Sequence, residues 1–180
     1  MAGTHGQARA FTTTSEAETA AVGRELAATL AAGDVVLLFG DLGAGKTAFV
    51  RGLAEGLGVH RDEVSSPTFT LVQEYRGGRL ALFHVDLYRL DDPREIDDLG
   101  LDEIAEDGVM AIEWAEKLRN GARLRPSRDI PPSGDTPPLR DAPPSRSGKT
   151  VAVRIQHGDG DTRTITTMNA EPAKPAEKSR

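Results

Sequence analysis

The stretch Asp34-Val35-Val36-Leu37-Leu38-Phe39-Gly40-Asp41-Leu42-Gly43-Ala44-Gly45-Lys46-Thr47-Ala48-Phe49-Val50 joins a short apolar run, a glycine-rich turn and the start of an amphipathic segment. Val35 to Phe39 shows no polar alternation and is bounded by turn residues. That is the pattern of a strand covered on both faces, hence of a parallel sheet flanked by helices. Beyond the turn, Phe49, Val50, Leu53 and Leu57 recur at helical intervals until Gly58, a C-terminal stop. The turn has the form Gly-x-x-x-x-Gly-Lys-Thr, in which each fixed position has a mechanical use. Glycines let backbone N–H groups curl around phosphate oxygens, Lys46 neutralises β- and γ-phosphate charge, and the Thr47 hydroxyl can ligate Mg²⁺. A helix starting near Lys46 adds its positive end to the same anion. A glycine turn with an incidental lysine would match the same letters. The buried strand before it and the helix after it are the context that phosphate binding requires.

Upstream, Ser15 to Ala32 reads as a helix. Ser15 stands as N-cap, Glu16 and Glu18 fall in the first turn, Val22, Leu26 and Leu30 share one face, and Gly33 is the stop. Downstream, Thr70 to Tyr75 and Leu80 to Asp86 read as strands joined through Gly77-Gly78. A short helix is predicted from Asp92 to Leu99, with Asp92 as N-cap and Pro93 at the first helical position. Gly108 to Glu113 is a second buried-strand pattern, followed by a short helix from Ala115. Thr150 to Gln156 and Thr162 to Thr167 alternate around His157-Gly158-Asp159-Gly160, a hairpin signal. Between them, Arg125 to Gly148 holds seven of the chain's 11 prolines and no apolar periodicity, which predicts a disordered insertion. One domain is expected over residues 1–168, with a mobile tail at 169–180.

Composition narrows the classes further. The 180 residues carry a net charge of -6 and no cysteine, which argues against coating nucleic acid by overall basicity. It also excludes disulfides, thiolate metal sites and a cysteine nucleophile. Met1 to Thr14 lacks a signal-peptide pattern, and no window approaches the roughly 18 apolar residues of a membrane span. A soluble cytoplasmic protein is the expectation.

A bound nucleoside triphosphate needs a carboxylate for its metal, and candidates stand at two strand ends. These are Asp86, after Leu82-Phe83-His84-Val85, and Glu113, after Val109-Met110-Ala111-Ile112. Either can also be a plain solvated terminus. Thr68, in Ser65-Ser66-Pro67-Thr68, can belong to an ordinary turn or to a switch-like loop reaching the γ-phosphate. His84 reads as a hydrogen-bonded core residue without chemical role, and Trp114 as a packing residue or, failing that, a contact with nucleotide or partner. Arg89 fits a charge-stabilising residue or a surface cation, with a partner or structural use favoured. The acidic run Asp91-Asp92, Glu95, Asp97-Asp98, Asp102-Glu103 fits a solvated face or a surface meeting a basic one.

The ordered segments Gly40 to Thr47, Val64-Ser65-Ser66-Pro67-Thr68-Phe69-Thr70-Leu71-Val72, Phe83-His84-Val85-Asp86-Leu87-Tyr88-Arg89-Leu90 and Ile112-Glu113-Trp114-Ala115-Glu116-Lys117 resemble TsaE over roughly Phe11 to Leu118. That family is a small bacterial P-loop ATPase working with TsaD and TsaB in threonylcarbamoylation of the adenosine beside the tRNA anticodon. The resemblance implies ATP and Mg²⁺ as cofactors. Thr47 and Glu113 would hold the metal, and Lys46 and the loop from Asp41, Leu42, Gly43, Ala44 and Gly45 through Ala48 would bind the phosphates. Asp86 would be needed for hydrolysis, and Ser15 and Arg163 would flank the adenine. It further implies that the transfer itself belongs to TsaD and that tRNA is met only through the complex. The proline-rich stretch departs from the family pattern, where a compact link to the last strands is expected. The expected fold is a three-layer α/β P-loop architecture with a mainly parallel sheet and antiparallel additions near Thr70 to Asp86 and Thr150 to Thr167. A small-molecule or nucleoside kinase shares the loop, although no arginine-rich lid segment is visible. A nucleotide-dependent adaptor with negligible turnover of its own is a further alternative.

Overall fold

The computed structural model describes residues 8–101, 107–118 and 148–170. Within them the chain folds as a mixed α/β protein around a seven-stranded sheet. The strands are β1 (Arg9–Thr13), β2 (Val35–Phe39), β3 (Val72–Tyr75), β4 (Ala81–Asp86), β5 (Gly108–Glu113), β6 (Thr150–His157) and β7 (Arg163–Ala170), in the spatial order β1-β7-β6-β2-β5-β4-β3. The four middle strands β6, β2, β5 and β4 run parallel. β7 and β3 pair antiparallel at their flanks, and β1 closes one edge antiparallel to β7.

The buried apolar run at Val35 to Phe39 is the second strand, central and wholly covered. Its residues split by alternation, as a pleated strand requires. Val36 and Leu38 join Phe49, Leu53 and Leu57 of α2 (Lys46–Leu57) in one core, while Val35, Leu37 and Phe39 join Phe83, Met110, Ile112 and Ile96 in the other. Ile96 belongs to α3 (Pro93–Asp97), whose Asp92 cap and leading Pro93 stand where the sequence placed them. Fully burying a side chain such as Leu53 or Phe49 contributes roughly 1.5–3 kcal/mol. The first helix, α1 (Glu16–Ala27), lies unusually close to α2. A Cβ on Gly52 would come within 1.8 Å of the Ala20 carbonyl oxygen, so any side chain there forces the two helices apart.

Four differences from the sequence expectation are local. β1 lies in a segment for which no strand was expected. α1 stops at Ala27 instead of continuing to Ala32, because the Arg79 guanidinium donates to the carbonyls of Ala27 and Leu30 and Asp34 Oδ2 accepts from Ala31 N–H, which together fix a turn. β7 runs two residues past Met168, where the tail was expected to begin, since Asn169 and Ala170 pair with Val151 and Thr150. The segment after Glu113, expected as a short helix, is a 3₁₀ turn over Ala115–Leu118. The proline-rich stretch lies outside the described residues except Gly148, as do Asp102, Glu103 and residues 171–180. No helix among the described residues is long and apolar enough to cross a membrane.

Candidate functional site

The C-terminal ends of β2, β5 and β4 meet at one edge of the sheet, the position where open parallel sheets bind ligands. β2 delivers the loop Gly40 to Gly45, and the loop turns directly into α2. Gly45 sits at the helix N-cap with φ of 107°, a left-handed backbone that costs an ordinary residue strain, and no side chain caps the end. Helix geometry leaves the N–H groups of Lys46, Thr47 and Ala48 without an intrahelical acceptor, and the first such bond runs from Phe49 N to Gly45 O. Helices α1 and α3 differ. α1 is capped by Ser15 Oγ and α3 by Asp92 Oδ1. An uncapped helix end with aligned donors favours an anion.

Lys46 is buried and folded back over the loop, where Nζ donates to Gly40 O at 2.6 Å and Asp41 O at 2.8 Å. The same ammonium lies 3.9 Å from the Trp114 ring centroid, a cation–π contact. Burial lowers its pKa from the usual lysine value, against the opposing pull of Glu113, Glu116, Asp86 and Asp41. Lys46 therefore sits desolvated in a ring of carboxylates and retains its remaining donor capacity for a ligand. Burial also raises the Glu116 carboxyl above the ordinary range, with Lys46 pulling the other way, and its Oε2 has no hydrogen-bond partner among the described residues.

Thr47 Oγ1 donates to Glu113 Oε1 at 2.8 Å, so the loop's hydroxyl and the β5 carboxylate form one unit. His84 Nε2 lies 2.9 Å from the same oxygen. Asp86 is the strand neighbour of Glu113 in register and hence on the same face of the sheet. Its Oδ2 accepts from Ser66 Oγ and Thr68 Oγ1, both at 2.7 Å, and its Oδ1 accepts from Tyr88 N at 2.9 Å. These bonds tie the Ser65 to Val72 segment to the end of β4. The segment turns at Leu71, whose φ of 65° is strained for a leucine, and it carries Phe69 85% exposed under the Arg89 guanidinium.

The structure thus gathers Lys46, Thr47, Glu113, Asp86 and Thr68 around one strand-end edge. Asp41 and Gly43 are exposed on the loop, Leu42 projects with 71% of its surface exposed, and Ala44 and Ala48 are buried beneath. Arg163 reaches the loop from β7. A Cβ on Gly45 would lie 3.4 Å from its Nε and 3.6 Å from Thr19 Cγ2. Arg163 Nε is buried without a partner among the described residues, while Nη1 donates to Asp161 O. The Ser15 hydroxyl caps α1, and Thr19, one turn later in that helix, brings its Cγ2 within 3.6 Å of a Cβ built on Gly45. Sequence reasoning did not single out Thr19, Ser66 or Glu116. It read His84 as core, which its burial bears out, but did not identify its carboxylate partner. The spacing His84-x-Asp86 on one strand face was the signal available.

Glu113, Thr47 and Asp86 offer only hard oxygen donors at the mouth of the loop. That chemistry suits Mg²⁺, which takes one or two protein oxygens and completes its shell with phosphate and water. Among the described residues no cluster of three or more His, Asp or Glu is placed to hold a metal ion unaided.

Comparison with known proteins agrees with these motifs. The family model described as threonylcarbamoyl adenosine biosynthesis protein TsaE matches residues 13–132. The tRNA threonylcarbamoyladenosine biosynthesis protein TsaE of Bacillus subtilis is 54% identical over 99 residues, covering 54% of this chain and 61% of that protein. Its counterpart from Nostoc sp. is 50% identical over 98 residues, covering 52% and 59%. The matched region thus spans about three fifths of the length of these curated relatives. The crystal structure of Bacillus subtilis YdiB superposes with a TM-score of 0.66 at 30% identity, covering 94% of this chain and 90% of that one.

Proposed function

This chain belongs to the TsaE family, and from that premise we propose that it is a three-layer P-loop protein binding ATP with Mg²⁺ and hydrolysing it in support of tRNA threonylcarbamoylation. The observation that carries the reading is the bond from Thr47 Oγ1 to Glu113 Oε1, which joins the glycine-rich loop to a strand-end carboxylate. In it the threonine hydrogen is directed at the carboxylate, so the oxygen lone pairs remain for a cation.

Each of the chain's own groups then has a task. The free N–H groups at the start of α2 and the backbone of Asp41 to Gly45 grip the phosphates, and Lys46 exchanges its loop carbonyls for β- and γ-phosphate oxygens. Thr47 and Glu113 hold Mg²⁺, which supplies charge neutralisation on the phosphoryl oxygens when bound. Asp86 orients and deprotonates the attacking water. Its Oδ2 is saturated by Ser66 and Thr68, so movement of Thr68 towards the γ-phosphate frees the carboxylate and couples the 65–72 loop to the nucleotide. Arg163 and the α1 residues beside Gly45 border the base side of the site. Glu113→Gln keeps shape and removes charge, and it is expected to weaken Mg²⁺ affinity of the nucleotide complex about 10–100-fold. Mg²⁺ titration of the ADP-bound protein checks this, and an unchanged affinity removes Glu113 from the metal site.

The partners under this reading are TsaD and TsaB, with tRNA met through their complex in the cytoplasm and ATP turnover resetting the assembly. ADP release measured alone and with TsaD and TsaB tests it. Stimulation by the pair is expected, and equal rates with no complex formed would leave an ATPase without this role.

A further inference from the structure

His84 occupies the middle of β4 with none of its surface exposed. An imidazole is a poor filler for such a site, because an unsatisfied buried polar atom costs about 1–3 kcal/mol, and Nδ1 has no partner among the described residues. The ring's polar contact is made through Nε2, 2.9 Å from Glu113 Oε1. That oxygen also takes the Thr47 hydroxyl proton at 2.8 Å. An ionised carboxylate oxygen only accepts, so His84 presents Nε2–H to it.

The strand register explains how the contact is held. His84 pairs with Ala111 and Asp86 with Glu113, so His84 stands one diagonal step from Glu113 on the face that carries both carboxylates. β4 is hydrogen-bonded on both sides, by β3 and β5, so the ring is carried on an interior strand of the sheet. Glu113 ends its strand with its carboxylate buried.

We propose that His84 is a positioning residue whose Nε2–H locks the Glu113 carboxylate in the rotamer that takes the Thr47 proton, leaving the Thr47 lone pairs and Glu113 Oε2 available to a divalent cation. The inference rests on the nucleotide and metal reading above and adds the element that orients its carboxylate. A ligating carboxylate held by an outer partner loses affinity when that partner is removed.

The test uses the full chain, with Mg²⁺ titrated into ADP-saturated protein and ADP titrated in EDTA, for wild type, His84→Leu and His84→Gln. His84→Leu is expected to weaken Mg²⁺ about 10-fold or more and to leave metal-free ADP affinity unchanged. His84→Gln, which keeps an N–H donor, recovers most of the loss. The imidazole ¹⁵N spectrum of wild type is expected to show the Nε2–H tautomer. Should the leucine variant not fold, His84→Asn, too short to reach Glu113, replaces it. Unchanged Mg²⁺ affinity in the donor-free variant, an equal loss of metal-free ADP affinity, or an Nδ1–H tautomer overturns the proposal. A wild-type chain whose ADP affinity ignores Mg²⁺ removes the metal reading itself, and the proposal with it. A Mg²⁺-responsive wild type matched by His84→Leu removes the proposal alone.

Discussion

Lys46→Ala is expected to weaken ATP binding in Mg²⁺ about 100-fold or more and to leave no measurable turnover. The ammonium is buried, surrounded by Glu113, Glu116, Asp86 and Asp41, and already partly stripped of water. Its move from the carbonyls of Gly40 and Asp41 to phosphate oxygens replaces neutral acceptors by charged ones, and hydrogen bonds to charged groups contribute about 1.5–3 kcal/mol each. Two such bonds account for the expected loss. Alanine also removes the tie that closes the loop on itself and the contact with the Trp114 ring, so the loop loses order before any nucleotide arrives. Fluorescent-nucleotide displacement and an ADP-release assay read both effects, and wild-type hydrolysis by Lys46→Ala would disprove the role.

Asp86→Asn is expected to separate binding from chemistry. Loss of a general base slows turnover by about 10²–10⁴-fold, whereas Asp86 makes no bond to the phosphate loop and nucleotide affinity should stay within a few-fold. The amide still accepts from Ser66, Thr68 or Tyr88 through one oxygen, so the 65–72 loop keeps part of its anchor. Single-turnover hydrolysis set beside equilibrium ATP binding distinguishes the two parameters. A parallel fall in both would show Asp86 to be a structural tie for the loop instead of a base.

Much of the frame was legible because its signals are local. Val35 to Phe39 had to be buried on both faces, Gly58 had to stop α2, and Asp92 with Pro93 had to start α3. What escaped depends on distant chain. β1 is an edge strand in which the half-buried Phe11 and the buried Thr13 face the core, so Arg9-Ala10-Phe11-Thr12-Thr13 carries a single apolar inward residue and shows no hydropathy alternation. Its partner, β7, lies some 150 positions later. The early end of α1 is set by Arg79 and Asp34, neither of which marks a helix stop in sequence. In the site, Lys46, Thr47, Asp86 and Glu113 were each visible as motif letters, but their grouping comes from the parallel pairing of β4 with β5 and β5 with β2. The tether between Asp86 and the hydroxyls of Ser66 and Thr68 required the antiparallel return of β3 on β4, which brings the preceding loop back over the strand end. Thr19, one turn into α1 and close to Gly45, carries no motif letter that would have marked it in sequence.

The most direct test of the account is a calorimetric titration of the wild-type chain with ATP, once in Mg²⁺ and once in EDTA. One-to-one binding that tightens in Mg²⁺ is the predicted result. No binding, or an affinity indifferent to the metal, would contradict it.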